Sequence, residues 1–353
     1  MRRGLTITLT GIARLIPAGL YPRLVRRSSL DFFYHAVSDA PLPHIRHLYP
    51  VVPVADFEAA LRYLQARYTF ITYQQLHQHR LAGQPLPPDA IHLSFDDGFA
   101  ECFDVVRPLL QKYKIPGTFF LATDWIDNRQ MFYRNKASLA IQRIGELSAD
   151  ALDALLAQLH SQLGLAVDSA KALIDWLKGL RNQDEPQIDA LCALLDVDWR
   201  GFLEDQQPYL TSDQIRQMQA QGFTIGAHTR SHTKLIDLSP EQIEAELAGS
   251  CRQVAEICGA ATVPFSFPHS AWGVDRGWLA DIRARHPEIG LLFDTKGLRQ
   301  DEPFMVNRVW AERPLSVAGR LHPIPAVLHA DYQDAWVDDR WRGLRRVIGR
   351  PAN

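Results

Sequence analysis

Ile91 to Ala100, I-H-L-S-F-D-D-G-F-A, is the stretch whose reading decides the fold. Five strand-like residues run into two adjacent carboxylates and a glycine. Neighbouring side chains in a strand point opposite ways. At a strand end turned by glycine, two carboxylates can instead converge on one cavity, where they repel unless a proton or a cation sits between them. Immediately downstream, Glu101 to Tyr113 reads as a helix with Phe103, Val106, Leu110 and Tyr113 on one side. I-P-G at 115–117 ends it, and Thr118 to Ala122 forms a second apolar strand. The unit is β-α-β, so its strands are expected to be parallel and its crossover right-handed.

Outward from this unit the same alternation continues. Upstream, Leu30 to His35 reads as a buried strand, Val54 to Tyr68 as a helix, Thr69 to Thr72 as a strand and Tyr73 to Leu81 as a short helix. Downstream, Phe223 to His228, Val263 to Phe267, Gly290 to Asp294 and Phe304 to Trp310 read as strands. Ser239-Pro240-Glu241-Gln242 opens a helix that ends near Gly259, with serine as N-cap and proline in the first turn. Strands interleaved with helices predict a parallel α/β barrel. Such barrels place their chemistry at the C-terminal ends of strands, and His35, Asp96, Asp97, His228 and Pro268-His269 all fall there. From 127 to 209 the pattern turns to long helices without obvious chemistry, read as a helical insertion that serves as a lid or an oligomer surface. Its opening, M-F-Y-R-N-K at 131–136, is read as ordinary surface with substrate contact as the alternative. The expected organisation is an N-terminal segment (1–28), a barrel in two pieces (29–126 and 210–310), the insertion (127–209) and a C-terminal tail with a terminal helix (311–353).

The 353 residues carry a net charge of −2, which argues against a nucleic-acid binder with its basic stripe. Cys102, Cys192, Cys251 and Cys258 form no C-x-x-C pair, so reduced thiols are expected. The apolar run at the N-terminus is short, rich in threonine and broken by Arg14. It reads as an amphipathic or frayed start rather than as a signal peptide. These features favour the cytoplasm over a secreted or periplasmic location. No run approaches the length of a membrane span.

A second motif, I-G-A-H-T-R-S-H at 225–232, sets His228 and His232 four apart. That spacing puts two imidazoles on one face of a helical turn, as two-histidine metal sites require. H-x-x-x-H alone is weak, and D-D-G alone is an ordinary turn. Together, each after a strand, they describe two nitrogens and one oxygen with room for water, the pattern of a catalytic rather than a structural metal site.

S-F-D-D-G at 94–98 followed by H-T-R-S-H at 228–232 resembles the NodB-type polysaccharide deacetylases, carbohydrate esterase family 4. F-Y-H-A-V, I-P-G-T-F-F and the F-P pair at 267–268 are similar too. The resemblance implies a distorted (β/α)7 barrel and a metal-dependent hydrolase removing N-acetyl groups from a polysaccharide, an oligosaccharide or a lipid-linked precursor. It implies Asp97, His228 and His232 as metal ligands, Asp96 as general base and Thr229 as a brace of the histidine loop. The N/O ligand set favours zinc, with cobalt, nickel or manganese as alternatives. A backbone N–H near Pro268-His269 is the implied oxyanion donor. Two departures stand out. The family's third motif usually opens with arginine and closes with tyrosine-glycine, whereas S-F-P-H-S at 266–270 has Ser266, His269 and Ser270 at those places. Arg308 is the candidate substitute for the lost arginine, with a surface role as its alternative. For the general acid, A-V-L-H at 326–329 holds a histidine in a proline-interrupted region. F-F-Y-H at 32–35 is the better match, similar to members whose acid motif is permuted to the first strand, and it nominates His35, with His269 as runner-up. Rival readings are a barrel hydrolase acting on another amide or on an O-acetyl ester, and a degenerate sugar-binding module.

Other residues carry less. His44 and His47, three apart in a loop, could line the substrate cleft but are expected to be exposed, and Trp125, Tyr133, Trp272 and Trp310 could stack on sugar rings but more commonly pack. The basic amphipathic stretch at 341–350 could touch an anionic membrane surface, with a solvated helix as the default.

Overall fold

The computed structural model describes residues 2–314, 321 and 323–348. Nine strands form one parallel sheet: β1 (Ser29–Tyr34), β2 (Thr69–Phe70), β3 (Ala90–Phe95), β4 (Thr118–Leu121), β5 (Thr224–Ala227), β6 (Val263–Ser266), β7 (Ile289–Asp294), β8 (Met305–Asn307) and β9 (Val309–Trp310). The pairing order is β8-β7-β6-β5-β4-β3-β1-β9. Its two end members are successive pieces of one stretch of chain, parted only at Arg308. Residues 305–307 pair with β7 and residues 309–310 with β1, so this stretch closes the sheet into a barrel. β2 stands off the path. It takes the free edge of β3 at Ala90 and Ile91, while β4 uses the same edge further along, at Ser94 and Phe95.

β1, β3, β4, β6 and β7 are almost wholly buried on both faces, as expected of parallel strands covered by helices. Phe120, Leu291, Phe293 and Val306 share a buried cluster with Ile71 and Tyr73, whereas Phe95, Phe119, Ile225 and Phe265 join the helices outside. The Val54–Gln65 and Tyr73–Ala82 helices follow the predicted spans closely. The latter is fixed by a Thr72–Gln75 capping box and by Gly83 in the left-handed region. Ser239 and Gln242 form the predicted box ahead of Pro240–Cys258.

Three local readings are corrected. The helix expected from Glu101 opens with a π turn, Cys102–Val106, before the regular Arg107–Tyr113 segment; Pro108 lacks the N–H that a regular helix directs back one turn. The strand expected over 304–310 is broken at Arg308, where the chain leaves one neighbour for the other. Helices at Ser212–Ala220 and Arg276–Arg285 went unread because short amphipathic turns leave little periodic signal.

Between β4 and β5, five helices (Tyr133–Gly145, Ala149–Leu163, Ala170–Gly179, Glu185–Leu194, Trp199–Gln206) surround a second core of Leu155, Leu159, Leu173, Ile188 and Leu191. The chain enters and leaves this layer at one point. Asn128 exchanges hydrogen bonds with the Tyr209 backbone in both directions, at 3.1 and 3.0 Å, and Asp127 Oδ1 accepts the Ser212 N–H at 2.6 Å. The layer packs against Ala36, Leu42 and Ile45 of the loop after β1. It therefore also buries His44, contrary to the exposed loop expected, and burial lowers the His44 pKa to about 4. His47 is partly buried beside Gln142.

At the N-terminus, Arg2–Leu15 is a helix. Ile324–Ile348 is the terminal helix, and much of the basic stretch at 341–350 lies outside the described side chains. Cys102, Cys192 and Cys251 are buried thiols and Cys258 is half-buried. Among the described residues, no helix is long and apolar enough to cross a membrane.

Candidate active site

Asp96 and Asp97 follow the last residue of β3, and the backbone there explains how adjacent carboxylates reach one cavity. Asp97 and Gly98 both adopt the left-handed region, at φ 76° and 77°, so the chain reverses at once instead of alternating outward. Gly98 takes this φ without strain, and a Cβ there would also push the Leu121 Cδ2 tip, 2.8 Å away, aside. The loop after β5 is shaped by the same means, with Thr229 and His232 at φ 63° and 57°. Thr229 Oγ1 accepts the His232 N–H at 2.9 Å, the bracing contact anticipated for it.

Asp97, His228 and His232 meet as a buried triad whose ligand atoms lie within 4.8 Å of one another. Asp97 Oδ1 is 3.1 Å from His232 Nε2 and 3.4 Å from His228 Nε2. His228 Nδ1 contacts the Ser266 carbonyl at 2.8 Å. A carbonyl only accepts, so Nδ1 carries the proton and a neutral ring turns its Nε2 lone pair toward Asp97. A carboxylate oxygen facing such lone pairs is repulsive unless a proton or cation lies between them. Asp97 Oδ1 and His232 Nδ1 are buried atoms without a hydrogen-bond partner. Two imidazoles and one carboxylate, one ring already oriented by a backbone carbonyl, fit a divalent cation. The other oxygen, Asp97 Oδ2, accepts the Tyr49 hydroxyl at 2.8 Å. Tyr49→Phe is therefore expected to weaken metal affinity about tenfold, at the low end for a ligand-orienting partner, while leaving the fold intact; titration of the apoprotein with zinc reads this directly.

Asp96 is held quite differently. Arg308, fully buried at the break between β8 and β9, grips it as a fork, Nη1 to Oδ1 and Nη2 to Oδ2, both at 2.7 Å. The same guanidinium donates to Ser94 Oγ at 3.0 Å and to Ser266 Oγ at 2.6 Å, and it lies over the Phe33 ring at 4.5 Å. Ser266 stands where an arginine was expected, and it binds the arginine that arrives from another strand. Burial pushes the Asp96 carboxyl up, but the Arg308 charge and hydrogen bonds outweigh it and hold it below its ordinary value.

His35, at the end of β1, faces the same cleft. Its Nδ1 contacts Glu312 Oε1, and its backbone N–H donates to Glu312 Oε2 at 3.1 Å. Glu312 is fully buried two residues past β9 and also accepts from Trp310 Nε1 at 3.3 Å. Burial lowers the His35 pKa, but the Glu312 charge and hydrogen bond, with Asp97 and Asp96 behind them, more than reverse this and raise it to about 9. Tyr49 stacks on the His35 ring at 4.6 Å.

These groups line a cleft of about 370 Å³, with Leu48, Trp310, Phe132 and Arg134 on its walls. Phe132 and Arg134 come from the stretch read as ordinary surface; Phe132 meets the His232 ring edge-on at 4.9 Å, so that reading is corrected. His269 follows Pro268 at the exposed rim with φ 59°, its ring 5.2 Å from that of His232. Trp125 and Tyr133 are packed inside, and Trp272 is 70% exposed. His329 lies away from the cleft, packed edge-on against Tyr21 at 5.4 Å. Glu312, Tyr49 and Ser94 were missed in the sequence. Glu312 alone left a signal, an acid just past a late strand.

A model of the polysaccharide deacetylase family matches residues 83–281, more than half of the chain, and the chain belongs to that family. The matched segment holds Asp96, the Asp97–His228–His232 triad and Ser266, whereas His35, Arg308 and Glu312 lie outside it. Over 60 residues (17% of this chain and 9% of the relative's length) the chain is 32% identical to a poly-beta-1,6-N-acetyl-D-glucosamine N-deacetylase of Escherichia coli strain K12. Among solved structures it is similar to that of IcaB from Ammonifex degensii. That likeness has 17% identity and a TM-score of 0.52, and it covers 87% of this chain and 97% of the other. It is a likeness of fold.

Proposed function

We propose that this protein hydrolyses the N-acetyl group of an N-acetylated glycan or glycan precursor, using a divalent metal ion, preferably zinc, at Asp97, His228 and His232. The observation that carries this reading is the buried triad standing beside a second carboxylate, Asp96, which is locked in an ion pair instead of joining the triad. A cation held there would polarise the acetyl oxygen and acidify water. Asp96, kept ionised by Arg308, takes the proton from the water that attacks the acetyl carbon. The developing oxyanion meets the backbone N–H of His269. His35, kept charged by Glu312, gives its proton to the departing amine nitrogen as the C–N bond breaks. Trp310 offers a face to a sugar ring, and Phe132 and Arg134 line the same cleft.

The intact arginine–aspartate pair speaks against a degenerate binding module, since the group missing from the third motif is present in space. The test is metal analysis of the purified protein together with amine release from N-acetylated oligosaccharides, β-1,6-linked N-acetylglucosamine oligomers among them. One equivalent of metal is expected, with activity lost to a chelator and restored by zinc. Substoichiometric metal, with no amine release and no change on Asp96→Asn, would overturn the proposal.

A further inference from the structure

Residues 1–30 hold six arginines and not one aspartate or glutamate. The same region concentrates the apolar exposure of the molecule. Of the eight large hydrophobic side chains exposed among the described residues, four lie here: Ile12 (45%), Leu15 (83%), Leu20 (44%) and Leu24 (43%). The Arg2–Leu15 helix uses a different stripe, Leu9 and Ala13, with Ile16 just past its end, to join the main core. Tyr21 then tucks under it, its hydroxyl donating to the Ala13 carbonyl at 2.5 Å. This folds the Ala18–Leu24 turns back beside the helix and brings Leu15, Leu20 and Leu24 to one corner. Arg14, Arg23 and Arg26 are exposed among them, and no carboxylate pairs with them among the described residues. Arg27 is instead committed to Asp339 at 2.9 Å.

We propose that this corner docks on an anionic membrane surface, with Ile12, Leu15, Leu20 and Leu24 entering the headgroup–acyl boundary and Arg14, Arg23 and Arg26 meeting lipid phosphates. Interfacial segments combine these two features, an unpartnered apolar face and flanking arginines whose stems lie along it. Charge decides against a second copy of this chain as the occupant, because a two-fold interface would bring the unpaired arginines of one copy against those of the other. An anionic leaflet supplies the opposite charge at the depth where arginine guanidinium groups lie. The terminal helix links this corner to the cleft. His329 and Tyr332 pack on Tyr21, and Asp331, between them, lines the cleft. A docked protein thus holds its cleft within reach of the bilayer.

The proposal goes beyond deacetylation and is tested apart from it, by co-sedimentation of the full chain with vesicles of phosphatidylcholine alone or mixed with phosphatidylglycerol. Binding is expected only with the anionic lipid and is expected to weaken with salt. Leu15→Asp/Leu20→Asp is expected to lower the partition coefficient at least about tenfold, from the apolar area withdrawn. Amine release from a soluble oligosaccharide should stay unchanged in that variant. Arg14→Gln/Arg23→Gln/Arg26→Gln, which leaves every apolar contact in place, should abolish the preference for anionic lipid. Equal binding by wild type and either variant would overturn the proposal. So would an absence of vesicle binding with a light-scattering dimer that Leu15→Asp dissolves.

Discussion

Replacing Arg308 with methionine is expected to cost about 3–5 kcal/mol of stability, the range for breaking a buried ion pair from one side, and to lower kcat/KM by about 10²–10⁴. Both effects have one cause. The guanidinium meets both oxygens of Asp96 in a fully buried setting, and without it the carboxylate is stranded against Ser266 and the buried Asp97–His228–His232 triad. With Arg308 in place, the Asp96 pKa lies below its ordinary value, so the stability contributed by this group is present above the unfolded pKa and is lost as pH falls through the folded one. In the variant that value moves up, and the acid limb of the kcat/KM profile should move to higher pH. Arg308→Lys keeps the charge but loses the fork and should fall between the two. The sharpest test is a transplant. Arg308→Ser combined with Ser266→Arg moves the arginine to the strand where the family pattern has it, beside the same carboxylate. The double variant is expected to recover activity relative to Arg308→Ser alone. A double variant no better than that single one would show that Arg308 does more than orient Asp96.

His35→Gln is expected to leave bound metal unchanged and to lower kcat by about 10²–10⁴, the ordinary worth of a general acid. Unchanged turnover would move the role to His269, the other histidine lining the cleft outside the triad. Glu312→Gln probes the same proton without removing the ring. His35 has a raised pKa of about 9, so its protonated form persists at neutral pH and is lost as pH climbs through that value. The stability arising from the pair is likewise complete below the ordinary histidine pKa and disappears through about 9. With Glu312 neutral, burial is left opposed only by Asp97 and Asp96, and the alkaline limb of the kcat profile should shift down toward neutrality. A limb that stays in place would assign it to another group.

The barrel was legible because its evidence is local. Each strand is a short apolar run between turn signals, and D-D-G and H-T-R-S-H each carry their site residues within a few positions. What was illegible is what barrel closure creates. Arg308 and Asp96 are 212 residues apart, and Glu312 and His35 are 277 apart. No periodicity or motif announces such a meeting, so Arg308 could be nominated only from the gap at Ser266, and Glu312 went unnoticed. The helical layer hid its effects similarly. M-F-Y-R-N-K has the composition of a surface loop, yet the clamp at Asn128 and Tyr209 folds it back over the cleft, so Phe132 reaches His232. His44 reads as a loop residue until that layer covers it.

The strand run that shuts the barrel also sets an order of events during synthesis. A chain still emerging from the ribosome and ending before residue 305 already contains Asp97, His228 and His232, together with Asp96 and His35. It contains neither Arg308, the partner of the proposed base, nor Glu312, the partner of the proposed acid. Both arrive within a few residues of each other, on the run that seals β7 to β1. On the proposed mechanism, the run that completes the barrel is thus also the one that brings in the partners of both the base and the acid.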